Sequence, residues 1–486
     1  MSPLTFQLAE GVKFKEEKGR FYLLSETPIR FLLLNKNLYE VVKAVTSGTS
    51  IEKVWENKSD EKKKQIVTTI FNLVTKGYLT LKLHSAFKMP EDKVPFVSVI
   101  IPVRNRPEDV RDCLTSLLNL NYPKDNFEII VVDDGSSDDT VNVVKSYHVK
   151  LICNAESKGP AFCRNIGETI ANGEILAFLD SDCTVHPDWL KEIIPFFCLP
   201  GLGAVGGFVA SFFSKSLIDR YEEACSSLNM GKRIIYDSNS ASNFYVPSCN
   251  LFVRRNVFQV TGGFKQGMHL GEDVDLSWRI RNTGNALIYL PFGLVNHKHR
   301  NILKKMLKRR FEYGTSEADL YLHHQEKKKI FPVPLFAGLS AASVILAILL
   351  KIPLLFLMTI FFVIGDIHKK IKVTAGIKMF IPFSKIIVSS LRSIGSFYYY
   401  LSFHLIRYYL IFMVLWGFVF PPFWLICISA LFIASVVDYC LKKPKMSYLP
   451  FLVFYILEHG FYQWGVIFGC VKQRYFKCYF PKLAVK

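Results

Sequence analysis

The sequence predicts an α/β domain of the doubly wound type, preceded by a small α+β unit and followed by a helical membrane region. Three observations predict it. Four continuous apolar runs, VSVIIPV (97–103), EIIVVDD (128–134), VKLICN (149–154) and EILAFLDSD (174–182), alternate with amphipathic stretches such as VRDCLTSLLNL. Runs of that kind suit strands covered on both faces, and their alternation with helices suits a doubly wound sheet. From about Phe331 onward, long apolar runs are broken only by short basic stretches. The first 85 residues instead alternate as short strands and then as helices.

Composition supports the division. The 486 residues are 50% hydrophobic and carry a net charge of +19, and the two properties separate along the chain. Cationic residues flanking apolar runs fit cytosolic edges of membrane segments. A nucleic-acid partner would instead call for a basic patch on a soluble domain, so none is expected. Eleven cysteines are scattered without a CxxC pair, which excludes the usual zinc spacings. Cys113, Cys153, Cys163 and Cys183 read as reduced core thiols. The N-terminal residues lack the apolar stretch of a signal peptide, so everything ahead of the first membrane segment is expected in the cytosol.

Residues 1–85 are expected to form one domain. FQLAEGVKFKEEKGRFYLLS reads as paired strands with a turn at Lys18-Gly19. RFLLLNKNLYEVVKAVTSG gives a strand or turn and a helix ending at Gly48, and two more helices follow. The last of them has Ile66, Ile70, Leu73 and Val74 on its apolar face and Gly77 as its stop. A charged linker spans 84–95, the α/β domain 96–325 and the membrane region 331–475. In that last region 333–350 and 353–365 suggest a hairpin returning to the cytosol. Tyr408–Val437, interrupted by Pro421-Pro422, reads as one tilted span or a second hairpin. Leu449–Val471 is a further candidate despite Glu458 and His459, and 384–410 is expected to lie among headgroups.

Candidate chemistry sits at the strand ends. Asp133 and Asp134 open a small-residue turn where carboxylates accept hydrogen bonds from a base or ribose. Asp180 and Asp182 end a later strand, where two carboxylates hold a divalent cation against a diphosphate. Lys158 and Arg164 flank the start of a helix, offering cations and terminal amides to a nucleotide. Further on, GEDVDLSWR places Glu272, Asp273 and Asp275 at a helix N-terminus. His297 and His299 follow the strand ALIYLPFGLV, and His297 is the candidate to complete a metal site. Lys308-Arg309-Arg310 can meet a diphosphate or anionic lipid.

The combination VSVIIPVRNR, VVDDGSSDDT, KGPAFCRNIG and DSD resembles glycosyltransferase family 2, whose members have the Rossmann-like GT-A fold. The resemblance implies that Pro102, Asp134 and Arg164 help seat a nucleotide-sugar donor, with Asp133 and Lys158 beside them. It implies that Asp180 faces ribose or metal, that Asp182 ligates manganese or magnesium, and that Asp273 is the catalytic base with Glu272 in support. Asp275 is expected to cap the helix. The QxxRW motif of processive polysaccharide synthases is absent. The opening strands, the Pro28 segment, TSGTSIEKV and LVTKGYLTL are similar to PqqD-like, winged-helix-like peptide-recognition domains. The order of the three regions resembles the glycosyltransferases of mycofactocin systems. That resemblance implies a multi-pass membrane enzyme with a cytosolic catalytic domain. It would transfer glucose from UDP-glucose to a peptide-derived redox cofactor precursor, building a β-linked oligosaccharide. A family 2 enzyme acting on a lipid carrier or an envelope polysaccharide, and a non-catalytic membrane scaffold binding a modified peptide, are the competing readings.

Overall fold

The structure, a computed structural model, describes residues 4–26, 28–83, 94–268, 270–327, 329–376 and 381–485. Residues 84–93 of the expected linker lie outside the described residues. At the N-terminus, β1 (Leu4–Leu8) is followed by a meander of β2 (Val12–Glu17), β3 (Arg20–Glu26) and β4 (Ile29–Leu34). Lys18 and Gly19 both have positive φ, the turn geometry that matches the twist of a hairpin. Then come α1 (Lys36–Thr46), α2 (Ile51–Trp55), α3 (Asp60–Thr75) and β5 (Leu79–Leu83), which pairs antiparallel with β1. The apolar face of α3 uses Val67 and Phe71 where Ile66 was expected; Ile66 is only half-buried.

The chain divides into two compact units, one of Met1–Ala9 with Val41–Asn301 and one of Glu10–Glu40 with Ile302–Lys486. The stretch expected to form a single N-terminal domain is therefore shared between them.

In the first unit, an eight-stranded sheet carries β6 (Val97–Val103), β7 (Phe127–Asp133), β8 (Lys150–Cys153), β9 (Ile175–Leu179), β11 (Leu202–Gly206), β13 (Ile235–Asp237), β14 (Asn250–Arg254) and β15 (Ala286–Tyr289). Its order is β13-β15-β11-β14-β9-β6-β7-β8. The four strands β8, β7, β6 and β9 run parallel, as their apolar runs predict. β14 is antiparallel to both its neighbours, so the sheet is mixed. Every residue of β6, β9 and β11 is buried. Between these strands lie α4 (Pro107–Leu118), α5 (Thr140–Lys145), α6 (Pro160–Thr169), α7 (Trp189–Ile193), α8 (Leu217–Cys225), α9 (Arg255–Val260) and α10 (Glu272–Asn282). Proline at the first position of α4 and α6 suits helix starts, where an amide N–H has no partner to lose. A smaller sheet joins β10 (Cys183–Val185), β16 (Val295–His297) and β12 (Val209–Ser211) in that order. Of the expected core thiols, Cys113, Cys163 and Cys183 are buried. Cys153 is exposed, because it closes β8, the edge strand of the large sheet.

The second unit contains α11 (Leu303–His323), β17 (Ile330–Val333), α12 (Leu335–Leu350), α13 (Leu355–Gly376), α14 (Phe383–Val419), α15 (Pro422–Lys442), α16 (Tyr448–Gln473) and β18 (Lys482–Val485). Among the described residues, α14, α15 and α16 are long and apolar enough to cross a membrane. Sixteen residues in α12 rise about 24 Å, short of the roughly 30 Å hydrocarbon core. Residues 384–410, expected as a separate interfacial element, belong to the unbroken 37-residue α14. The prolines after Phe420 end that helix and start α15, so Tyr408–Val437 is a helical turn-around rather than one span.

Glu458 and His459 do not interrupt α16, since Glu458 faces Arg310 and Arg407, each at 3.5 Å. Arg310, considered for a diphosphate or lipid, is thereby buried and turned inward. α11 packs on α16 through glycines. A Cβ on Gly465 would collide with the Phe311 carbonyl, and one on Gly314 with that of Tyr462. Gly465→Val is therefore expected to cost at least about 1–3 kcal/mol, read as a lower melting temperature of the detergent-solubilised protein. A variant melting with the native protein would contradict this backbone contact.

Candidate functional site

The carboxyl ends of β6 and β9 define the site. The chain runs from β6 to β7 and β8 on one side, then returns to place β9 on the other. The strand order reverses between β6 and β9, the usual ligand position in such sheets. Pairing of β6 with β9 stops at Ile100, two residues before Pro102. The missing N–H of Pro102 thus costs no ladder bond on the β9 side, although Pro102 stays in register with Val132 on the other.

At the end of β7 the two aspartates have different tasks. Asp134 Oδ1 accepts from the Lys158 N–H at 2.8 Å, and Oδ2 from the Gly159 N–H at 2.9 Å and the Ser157 hydroxyl at 2.7 Å. Burial opposes the charge of Asp134, but these donors outweigh it and hold the carboxyl below its ordinary value. Its oxygens are taken up in fixing the loop that starts α6. Asp133 uses Oδ2 to accept from the Ser136 N–H at 2.9 Å, while Oδ1 is buried without a protein partner. Lys158 lies over the Phe162 ring, 4.7 Å from its centroid, and Arg104 donates to Ser157 at 2.8 Å.

Arg164, on α6, is 2% exposed. Its guanidinium donates to Asp180 Oδ1 at 2.6 Å and to Glu272 Oε1 at 3.1 Å, and it lies 5.1 Å from the centroid of the Phe264 ring. The sequence placed Arg164 toward a nucleotide; the fold turns it inward, joining the end of β9 to the start of α10. Next to Glu272, Asp273 accepts from the Val274 N–H at 2.9 Å and the Ser248 N–H at 3.3 Å. Burial, and then the charge of Glu272, push its carboxyl up to about 7, against those amides and Arg164. Asp275 does not cap α10. It pairs with Arg279 one turn on, and Arg279 reaches the carbonyls of Thr261 and Gly263. Asn250, at the start of β14, is fully engaged by Trp189, Phe208 and Gly293.

Asp182 and His297 meet because β10 pairs antiparallel with β16, setting Cys183 opposite His297. His297 Nε2 lies 3.4 Å from Asp182 Oδ1. Asp182, Cys183 and His297 present ligand atoms within 4.8 Å of one another. A carboxylate oxygen and an imidazole nitrogen fit a manganese-type cation, with positions left for diphosphate oxygens and water. The Cys183 thiol does not fit, since burial and a hydrogen bond with Cys249 keep it protonated. For Cys249, that hydrogen bond pulls downward, but burial and the charges of Asp180, Asp182 and Asp273 give a net upward shift. Three carboxylates therefore act on one buried thiol.

Arg106 escaped the sequence reading. Its Nη1 bonds Asp182 Oδ2 at 2.8 Å and Asp109 at 2.9 Å. The signal was a cation just past the end of β6, in RNRPED. Lys298 likewise pairs with Asp109 at 2.9 Å and Asp112 at 2.7 Å.

With this geometry in view, comparison with known proteins is direct. The sequence profile of Glycosyl transferase family 2 matches residues 98–262. Glycosyltransferase AglE of Haloferax volcanii is 31% identical over 236 residues, covering 47% of this chain and 75% of that protein. The chain belongs to glycosyltransferase family 2, and its mixed α/β sheet is the family's GT-A fold. The pre-mycofactocin glycosyltransferase of Mycobacterium tuberculosis is 36% identical over 258 residues, 52% of this chain. The chain spans about half the length of that mycobacterial relative, 53%. Among solved structures, the mannosyltransferase PcManGT of Pyrobaculum calidifontis is 16% identical, with a TM-score of 0.40, over 73% of this chain and 97% of that one.

Asp134→Ala removes the acceptor for three donors of the 157–159 loop. It is expected to cost about 3 kcal/mol and to loosen that loop. Thermal melting and hydrogen exchange at residues 157–160 measure both, and unchanged exchange would contradict the assignment.

Proposed function

We propose that the protein is an inverting, metal-dependent glycosyltransferase. In this reading it moves glucose from UDP-glucose to a peptide-derived redox cofactor precursor of the mycofactocin type, extending a β-linked oligosaccharide. The observation that carries the reading is Asp273, a carboxyl pushed up to about 7, next in the chain to Glu272, which Arg164 ties to Asp180. General-base catalysis works best with a group titrating near the operating pH. The ionised Asp273 takes the proton of the acceptor hydroxyl as its oxygen bonds the anomeric carbon. The bond from that carbon to the diphosphate breaks in the same displacement, and the product has inverted configuration.

Asp133 Oδ1, buried without a protein partner, suits an N–H of the donor base. Asp182 and His297 would hold a divalent cation, as is common among GT-A enzymes, and that cation supplies positive charge to the departing diphosphate. Arg164, bound to Asp180 and Glu272, fixes the carboxylates rather than the nucleotide. Glu272 keeps Asp273 basic by its charge. The peptide-derived acceptor is supported by the mycobacterial likeness. Three helices among the described residues long and apolar enough to cross a membrane support membrane association, and in this reading the catalytic unit is cytosolic because sugar nucleotides are made there.

A second reading, transfer to a lipid carrier, is favoured by one relative. A Methanococcus voltae enzyme named for a dolichyl-phosphate-linked substrate is 24% identical over 325 residues, 62% of this chain.

The test is release of nucleoside diphosphate by detergent-solubilised protein supplied with a UDP-sugar, manganese and either acceptor class. Native protein is expected to release it with a rate that rises with pH through an acid limb near 7. Asp273→Asn is expected to lose at least about a hundredfold while still binding UDP. Release that survives this substitution, or that ignores chelator, would overturn the reading.

A further inference from the structure

In the second unit the C-terminal segment turns back on the chain. Residues Lys477–Tyr479 form one tight helical turn, and β18 then pairs in parallel with β17, Ile330 opposite Lys482 and Val333 opposite Val485. These pieces and the end of α11 enclose a cavity of about 430 Å³. Lys327, Lys329, Lys477 and Lys482 line it, together with Tyr321 and Phe480. Lys327 is only 3% exposed, so this is a lined cavity rather than a chance gathering of surface charge.

Among the described residues, no acid lines the cavity. Glu317 already holds Lys329 and accepts from the hydroxyls of Tyr408 and Tyr462, at 3.0 and 2.9 Å. Glu326 faces His324 at 3.3 Å. Lys329 also donates to the Cys478 carbonyl at 3.1 Å, which ties the cavity wall to the C-terminal turn. Four lysines among the described lining residues give the cavity wall a cationic character.

Apolar side chains adjoin these lysines in the chain. Ile330, Phe476, Phe480, Leu483 and Val485 are all exposed, and Phe480, which lines the cavity, is exposed to 77%. Large apolar side chains around a cationic cavity suit the boundary of a bilayer, where the acyl region takes the apolar groups and the headgroup the cations. The same unit contributes the three helices able to cross a membrane.

We propose that this cavity binds the phosphate headgroup of an anionic membrane lipid, with its lysines on the phosphate and the β17–β18 ribbon in the acyl boundary. The site is separate from the carboxylate cluster of the first unit and does not rest on the reading of that cluster. A free phosphate offers the same charge, but the apolar rim selects a lipid.

Native mass spectrometry of the full chain, released from non-ionic detergent, tests this with three probes: dioleoylphosphatidylglycerol, dioleoylphosphatidylcholine and inorganic phosphate. Phosphatidylglycerol is expected to be retained in preference to both others. Replacing the exposed pair, Lys477→Gln with Lys482→Gln, is expected to lower its retention about tenfold, and the double arginine variant to restore it. Equal retention of phosphatidylcholine would overturn the headgroup assignment. Inorganic phosphate binding as tightly as the lipid would overturn the lipid source. Undiminished retention in the glutamine variant, with melting unchanged, would overturn the site.

Discussion

A guanidinium cut off from water has to be met by anions, and Arg164 is met by two. Its ties to Asp180 and Glu272 span α6, the end of β9 and the start of α10. Breaking a buried pair by removing one partner costs about 3–5 kcal/mol, because the remaining charges lose compensation. Three elements far apart in sequence are thereby locked in one register. Asp273 follows Glu272 directly, so its place depends on the same anchor. Burial, and then the like charge of Glu272, push the Asp273 carboxyl up while the Val274 and Ser248 amides and Arg164 restrain it, and the balance leaves it up at about 7.

The sequence was most informative where chemistry and secondary structure coincide. Apolar strands ending in acids marked the point where the strand order reverses, and the motifs DSD and GED and the histidine after ALIYLPFGLV stand out in the sequence alone. The roles of individual side chains were harder to read, because a strand end does not reveal whether an acid faces ligand or backbone. Asp134 and Asp133 are adjacent, yet the first is taken up by the 157–159 loop while the second keeps a buried oxygen without a protein partner. Arg164 looked like a nucleotide contact because it follows a helix start, and only tertiary packing shows it facing inward. Arg106 was invisible for the converse reason: its partner, Asp182, is 76 residues away. The antiparallel β14 was also hidden, since a short buried strand has the same apolar composition in either direction.

In the second unit, hydropathy found the helices and the prolines found the break after Phe420. It misjudged 384–410, where scattered cations suggested an interfacial helix and the chain instead continues one helix of 37 residues. Charges within apolar segments are tolerated when they meet one another, as Glu458 does with Arg310 and Arg407. The glycines that bring α11 against α16 act through backbone proximity, which a hydropathy pattern does not encode. Packing of this kind, through small residues, is common where helices gain no hydrophobic driving force from their surroundings.

The most direct test of the account is the pH dependence of nucleoside diphosphate release by Arg164→Gln beside native protein, with melting curves confirming that both are folded. Without the guanidinium, only the Val274 and Ser248 amides offset burial and the charge of Glu272 on Asp273. The acid limb is then predicted to move from near 7 to higher pH, with activity at neutral pH falling accordingly. An acid limb that stays in place would mean that Arg164 supports the fold but does not set the basicity of Asp273.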